Sequence, residues 1–257
     1  STVVDGDCED GKYCHVYKDD EGVSYSATLC LTDVESNRNS YYKMQLLVRD
    51  SAPNSFFVFK SWGRVGTGIG DKRTDSFSSL DDATREFDRV FSDISGNEWA
   101  CRNNFKKRPG KHVLVDIDYS EIADVQQPLI SPGSNTMLPR PIQELIRLVF
   151  NANSMENAVR SFDLDMKAIP LGKISKKQLT TASGVLRELE KLMDSSDLSE
   201  HAVLEASNRF YSLIPHATDM AVPPMLDSKE IIQKKVKLLD DLSNIAIAVK
   251  IMRSGLE

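Results

Sequence analysis

The chain has 257 residues, of which 40% are hydrophobic and 27% are charged, and its formal net charge is -6 at pH 7. This composition is typical of a globular protein, and the length is enough for one large domain or two smaller ones. No apolar run approaches the ~20 residues that span a bilayer, which excludes a membrane-spanning protein and predicts no membrane partner. The chain opens on Ser1 without a signal segment, so we expect an internal part of a longer protein.

Residues 13–119 are predicted to form a small antiparallel sheet with one packed helix, after an N-terminal extension over residues 1–12. Alternating apolar, aromatic and β-branched side chains indicate the strands. Ser79 is predicted to cap a helix whose apolar residues recur at helical spacing until Gly96 ends it. The predicted strands are Val23–Leu31, Tyr41–Val48, Phe56–Trp62 and Val113–Ile117.

The second half has a different period. Residues 120–137 are rich in Pro, Gln, Ser and Gly and are predicted to be a linker. From residue 138 to residue 257 the apolar period becomes 3.6, which predicts an all-α helical bundle and an α+β chain overall. The predicted helices begin at Leu138, after Ser154 and after Ser175, and then cover Ser199–Leu213 and Ser228–Met252.

The charge is unevenly distributed along the chain. Residues 38–111 carry 14 Lys and Arg against 9 Asp and Glu, a local charge of +5, which leaves -11 for the remainder. Phosphate contacts are local, so this separation matters more for nucleic-acid binding than the acidic total does.

The four cysteines are Cys8, Cys14, Cys30 and Cys101, and none forms a CxxC pair. Cys8, Cys14 and His15 are a loose cluster without a fourth ligand for zinc. We therefore predict reduced thiols in an intracellular protein and no metal site.

The segment Ser61–Gly68 is the most informative in the sequence, because Trp62 and Arg64 lie two residues apart among closely spaced glycines. In a strand such side chains project to the same face. An aromatic ring beside a guanidinium is suited to stacking on a base or sugar while holding a phosphate. The alternative is a core tryptophan at a strand end, with glycines that serve a hairpin. Predicted flanking contacts are Asn39, Tyr41, Lys72, Arg73 and Lys106.

No active site is predicted. Gly66–Gly70 lacks the Gly-Lys-Ser/Thr ending and the strand–loop–helix context of a phosphate loop. Asp116 and Asp118 share a predicted strand face, but no general acid or metal set accompanies them, so surface charge is the simpler interpretation. We also expect Trp99 to be a core residue.

Several motifs of both halves resemble the DNA-dependent poly(ADP-ribose) polymerases. Four motifs of the first half are similar to their WGR domain, and three of the second half are similar to their helical regulatory domain. They are Asn39–Leu47, Ser61–Gly66, Gly96–Trp99 and Asp116–Tyr119, and then Leu138–Ile146, Pro170–Gln178 and Ser207–His216.

The resemblance implies a nuclear protein that senses DNA breaks. Trp62 would pack on the terminal nucleotide and Arg64 would support it. The helical domain would restrain a following transferase domain that uses NAD, through a last helix whose matching apolar positions include Leu239, Leu242 and Ile245. No catalytic residue and no cofactor are assigned to this chain, which is expected to be inactive alone. For Leu239 and Leu242, simple burial in the bundle core is an equal alternative.

Two other functions stay open at this point. The strand-rich half could dock a protein partner with the bundle as a scaffold, or it could bind RNA in place of DNA ends. A steep loss of affinity with salt is expected for phosphate contacts and would separate nucleic-acid binding from protein docking.

Overall fold

The computed structural model describes residues 2–117, 174–195 and 199–254, with side chains described up to residue 244. The predicted linker 120–137, the first two predicted helices and residue Asp118 lie outside these ranges. No helix within them is long and apolar enough to cross a membrane.

Six strands in this part of the chain form one antiparallel sheet with the order β5-β4-β3-β2-β6, and β1 pairs with the far end of β3. The long hairpin β3–β4 is its centre, and a bulge between Val48 and Arg49 lies close to the turn. The small antiparallel sheet is therefore confirmed. The strands are β1 Cys14–Val16, β2 Ser26–Asp33, β3 Arg38–Arg49, β4 Ala52–Arg64, β5 Gly70–Phe77 and β6 Val113–Val115.

Strand β5 was not predicted from the sequence. It is an edge strand, and most of its side chains are exposed, so it carries no apolar alternation. Its residues Asp71–Asp75 are mainly charged, as expected for an edge that must not pair with another molecule.

Helix α1, Leu80–Ser95, packs on one face of the sheet. Its Ser79 cap is confirmed, because the Ser79 hydroxyl accepts a hydrogen bond from the backbone N–H of Asp82. Gly96 ends the helix in the left-handed conformation at φ 69°. Phe87 and Phe91 are fully buried against Leu46 and Val58 of the sheet. A 3-10 helix, Trp99–Asn104, follows, and the predicted core position of Trp99 is confirmed by its 6% exposure.

The opposite face of the sheet is covered by two different parts of the chain. The N-terminal segment covers one end, where Cys8 and Cys14 pack with Phe57 and Phe59. Helices cover the other end, from β2 to β6. They are α2 Lys176–Asp194, α3 Glu200–Leu213 and α4 Lys229–Ser254.

The helices and the sheet share one continuous hydrophobic cluster. Cys30 and Val115 of the sheet pack in the same cluster as Leu186 of α2 and Phe210 of α3. The predicted cap Ser175 is confirmed, since its hydroxyl accepts from the backbone N–H of Gln178. Ser199 caps α3 in the same way, through the backbone N–H of Ala202. The predicted domain boundary stays a prediction, because residues 120–137 lie outside the described ranges.

Candidate nucleic-acid interface

Trp62 is a half-buried residue at the end of β4. Its strand neighbour Tyr42 on β3 stacks on it, with ring centroids 5.7 Å apart and planes inclined by 11°. Burial, followed by the nearby Glu86 carboxylate, raises the pKa of Tyr42 to about 12, so its hydroxyl is neutral at physiological pH. Part of the indole is accessible to solvent, and the ring is held in a fixed plane by Tyr42. This rigid aromatic surface is suited to stacking.

Arg64 lies two residues further on the same strand and is fully engaged with protein acceptors. Its Nε donates to the carbonyl of Asp219 at 2.6 Å, and one Nη donates to the carbonyl of Ala221 at 3.0 Å. It also donates to the backbone carbonyl and the side-chain oxygen of Asn37, at 2.9 and 2.8 Å. The guanidinium therefore joins the β2–β3 hairpin turn to the loop that follows α3. We refer to this contact region between the hairpins and residues 216–222 as the seam.

Two more residues of the first half belong to the seam. Asn39 is 2% exposed and donates to the carbonyl of His216 at 2.8 Å, so the expectation that it offers a contact to DNA does not fit its position. Gly66, with φ +74°, lies so close to Ala217 that a Cβ on it would be 2.3 Å from the Ala217 Cβ. Both residues hold the sheet to the helical part.

The other flanking candidates are divided between the two faces of the sheet. In the β4–β5 register Trp62 pairs with Asp71, so alternation puts Arg73 on the Trp62 face and Lys72 on the opposite face. Lys72 Nζ binds the N-terminal segment instead, through the carbonyl of Asp7 at 3.0 Å. Arg73 has a 68% exposed side chain and pairs with Asp75 at 2.8 Å.

The remaining two candidates are also separated from one another. Tyr41 follows the alternation of β3 onto the face opposite Tyr42, where it packs against the helical core. Lys106 is exposed in the loop after the 3-10 helix, and its backbone is held by the side chain of Asn97. The five predicted flanking residues therefore do not surround Trp62 on one face of the sheet. Of the five, Arg73 is the one whose strand position places it on the Trp62 face.

Sequence reasoning missed two contributors to this region. Asn37, in the left-handed region at φ 51°, presents both acceptors to Arg64. An asparagine in a short polar turn before a strand could have indicated it, because Asn tolerates this conformation. Lys60, with a 7% exposed side chain, binds Asp75 at 2.5 Å and Glu86 at 3.1 Å and ties β4 to β5 and α1. No sequence signal distinguishes it from a surface lysine.

Two buried histidines lie near the seam and are neutral. His216 is 3% exposed, and its Nδ1 lies 2.6 Å from the carbonyl of Ile214 while its Nε2 lies 3.0 Å from Lys235 Nζ. Burial, followed by the charge of Lys235, lowers the pKa of His216 to about 3. His112, 3.1 Å from the Ser40 hydroxyl, has its pKa lowered to about 4 by burial and then by Arg38 and Lys111.

The predicted regulatory residues of α4 are buried within the helical core. Leu239 and Leu242 are 5% and 4% exposed and belong to the cluster shared with α2 and α3. For these two residues the structure agrees with the bundle-core alternative, and contact with a transferase domain stays a prediction. The side chain of Ile245 is outside the described part of the chain.

The structure assigns simple roles to the remaining chemically active groups. All four cysteines are free thiols. Asp116 accepts a hydrogen bond from the Ser175 hydroxyl at 2.8 Å, so it supports the start of α2. Among the described residues, no group of three or more His, Cys, Asp or Glu is placed to hold a metal ion.

Comparison with known proteins agrees with this architecture of a sheet and one helix followed by packed helices. Residues 25–106 match the WGR domain, and residues 136–257 match the regulatory domain of poly(ADP-ribose) polymerase. The chain is therefore a WGR domain followed by a polymerase regulatory domain.

Curated relatives align with almost the whole chain. The chain is 41% identical over 254 residues to poly(ADP-ribose) polymerase 1 of Xenopus laevis, covering 98% of this chain and 25% of that protein. It is 41% identical over 256 residues to the Danio rerio protein, covering 99% and 25%, and 38% identical over 255 residues to the Caenorhabditis elegans protein, covering 99% and 27%. The chain thus belongs to the poly(ADP-ribose) polymerase family and spans about a quarter of the length of these relatives.

Proposed function

We propose that this chain is the DNA-break-sensing and autoinhibitory region of a nuclear poly(ADP-ribose) polymerase. In the whole protein its WGR domain binds DNA ends. Its helical domain restrains an ADP-ribosyltransferase domain that uses NAD, until DNA binds. No catalytic residue of the transfer reaction is assigned to the described part of this chain.

The observation that carries the proposal is the pair of neighbouring residues Trp62 and Arg64. Trp62 is partly accessible and fixed in orientation by Tyr42. Stacking of a base on such a ring is worth about 1–3 kcal/mol. A terminal base pair offers an unstacked face to the ring, whereas the bases of an intact duplex are covered on both sides. Stacking on Trp62 therefore favours binding to DNA ends over binding to an intact duplex.

Arg64 offers a route by which DNA binding reaches the helices. One side of its guanidinium binds Asn37 of the hairpin turn, and the other binds residues 219 and 221 of the loop between α3 and α4. A nucleotide on Trp62 would lie two residues from this junction and would bring phosphate oxygens that compete for the same N–H groups. Loss of those contacts would release one end of the loop.

The coupling is a shift between two populations of the helical domain. DNA changes the balance only if it binds the loosened state more tightly than the closed one. Competition for Arg64 provides that difference, because the closed state uses its N–H groups for carbonyl oxygens and the loosened state leaves them available for phosphate.

Titration of this chain with DNA tests the proposal. Blunt, nicked and end-free duplexes are compared at two salt concentrations, with Trp62→Ala against the wild type and Tyr13→Ala as a matched loss of an exposed aromatic ring. Trp62→Ala should lose about tenfold or more of its affinity for ends, and Tyr13→Ala should bind as the wild type does. Equal affinity of Trp62→Ala and wild type for ends, at both salt concentrations, would refute the sensing role.

A further inference from the structure

A cleft of about 490 Å³ opens between the helices and the β6 edge of the sheet, where two strands separate β6 from β4, the strand of Trp62. Its sheet side is formed by β6 and the 3-10 helix with the loop after it, and its helical side by α2 and α3. The floor is apolar, with Val113, Val115, Val185 and Leu213 among its residues. A cleft of this size holds a small organic ligand.

Cationic side chains dominate the rim of this cleft. Arg102, Lys107, Lys177 and Arg209 line it, and Asp116 is the one carboxylate among the described lining residues. Lys177 and Gln178 belong to the first turn of α2, whose N-terminal end adds partial positive charge. Glu188 and Glu205 lie outside the lining and pair with Arg209 from the helical side, at 2.6 and 4.0 Å. Among the described lining residues of the sheet side, Arg102 and Lys107 outnumber the single carboxylate Asp116.

Two buried donors of lining residues have no hydrogen-bond partner in the part of the chain that the structure describes. They are the indole Nε1 of Trp99 and the Nε of Arg209, which lies 4.0 Å from a carboxylate oxygen of Glu205. Buried polar groups are nearly always paired, and leaving one unpaired costs about 1–3 kcal/mol. Both atoms are buried from solvent, so an acceptor from outside the chain would reach them only after a side-chain movement.

Lys107 is the third donor available to a ligand. It is accessible through the cleft mouth yet surrounded by protein, and this desolvation lowers the pKa of its ammonium group. Within the described residues its Nζ makes neither a hydrogen bond nor an ion pair, and the charge that acts on it most strongly is the Glu205 carboxylate, followed by Arg209 and Asp33. An anion between Lys107 and Arg209 would be attracted by both of these cations.

We propose that this cleft binds a small organic phosphate. Its phosphate would lie between Lys107 and Arg209, its ring or hydrocarbon part on the apolar floor, and its hydroxyl groups near Asp116 and Gln178. Guanidinium and ammonium donors are the usual phosphate ligands in proteins. Because the walls belong to the sheet and to the helices, the ligand would also stabilise their association. The proposal is independent of DNA binding at Trp62.

The phosphate could instead come from the backbone of a nucleic acid, and the test separates these sources. The chain has two tryptophans, so Trp62→Phe leaves Trp99 as the single fluorescent reporter in the cleft. The full chain with this change is titrated with AMP, with pyrophosphate, with adenosine and with an end-free DNA dumbbell. Binding is followed by Trp99 fluorescence and by the shift of the melting temperature.

AMP should bind saturably at millimolar or lower concentration and raise the melting temperature, pyrophosphate should compete with it, and adenosine should not bind. Lys107→Gln should weaken AMP binding about tenfold, while Lys106→Gln, the same change on the neighbouring lysine outside the cleft, should leave it unchanged. Lys107 has no hydrogen-bond or ion-pair partner among the described residues, so an unchanged melting temperature without ligand serves as the folding control. The proposal is overturned if AMP and pyrophosphate do not bind, if Lys107→Gln binds AMP as the wild type does, or if the dumbbell alone changes Trp99 fluorescence.

Discussion

Replacement of Arg64 by alanine removes four hydrogen bonds at once from the seam. Two of them, to the carbonyls of Asp219 and Ala221, are solvent-exposed, and two, to Asn37, are partly buried. A net contribution of roughly 0.5 kcal/mol for each exposed bond and roughly 1 kcal/mol for each partly buried one gives a loss of about 3 kcal/mol. Arg64→Lys should recover only part of it, because one ammonium cannot reach acceptors on two segments in a fork geometry.

Urea unfolding followed by circular dichroism measures this loss, and hydrogen exchange of residues 217–224 locates it. Arg38→Ala, which removes an exposed arginine from the same hairpin, is the matched control and should change the free energy of unfolding little. Asn37→Gly keeps the left-handed backbone but deletes one acceptor, so in combination with Arg64→Ala it should show a coupling of about 1 kcal/mol.

One pair of results would contradict the role of Arg64 in holding the loop after α3. If Arg64→Ala unfolds within about 0.5 kcal/mol of the wild type and residues 217–224 exchange at unchanged rates, the guanidinium does not hold the loop. The route from Trp62 to the helices through Arg64 would then be wrong, whereas end binding by Trp62 itself would not be affected.

Three further predictions concern stability. Gly184 lies inside α2 with open space around its missing Cβ, so Gly184→Ala should raise the free energy of unfolding by about 1 kcal/mol in a urea titration, and a decrease would contradict this. His112 is neutral in the folded chain because its pKa is lowered to about 4, whereas an unfolded histidine protonates near pH ~6.5. The contribution of neutral His112 to the free energy of unfolding is therefore fully present above the unfolded pKa and decreases as the pH falls towards about 4. In thermal melts between these two pH values, His112→Gln should reduce the dependence of the melting temperature on pH. Lys60→Met leaves Asp75 and Glu86 facing each other in a partly buried site, so it should cost about 3 kcal/mol at pH 7 and less at pH 4, and an equal cost at both would refute the charge argument.

The sequence predicted elements well where apolar periodicity or capping chemistry was strong. The central hairpin β3–β4, helix α1 and the cap of α2 follow from local patterns that burial on one face requires. Strand β5 escaped prediction because an exposed edge has no apolar periodicity to detect. The same reasoning explains why Ser79 was predicted and Lys60 was missed. A cap acts within four residues of the chain, whereas Lys60 acts on Glu86, 26 residues away.

The candidate site, too, could be predicted only where a local sequence pattern places the residues. Alternation along β4 correctly associates Trp62 with Arg64, but it cannot show which other strands and loops face them. Register then places Lys72 on the opposite face, and the approach of the loop after α3 buries Asn39 and engages Arg64. These contacts span 155 residues or more in sequence, so their signal is absent from any local window.

This arrangement explains how one short segment could serve both sensing and restraint. Trp62 needs accessible surface to contact a nucleotide. Arg64, two residues away, donates hydrogen bonds to the helical part. The polar end of the seam lies near Trp62 and depends on a few hydrogen bonds, whereas the contact from β2 to β6 is an apolar core with Phe210 fully buried. Hydrogen bonds to carbonyls can be exchanged for bonds to phosphate at little net cost, but a buried phenylalanine cannot be exposed so cheaply. A ligand at Trp62 should therefore loosen the residues 217–224 first and leave the core between sheet and helices intact. Hydrogen exchange in the presence of DNA ends should rise there before it rises in α3.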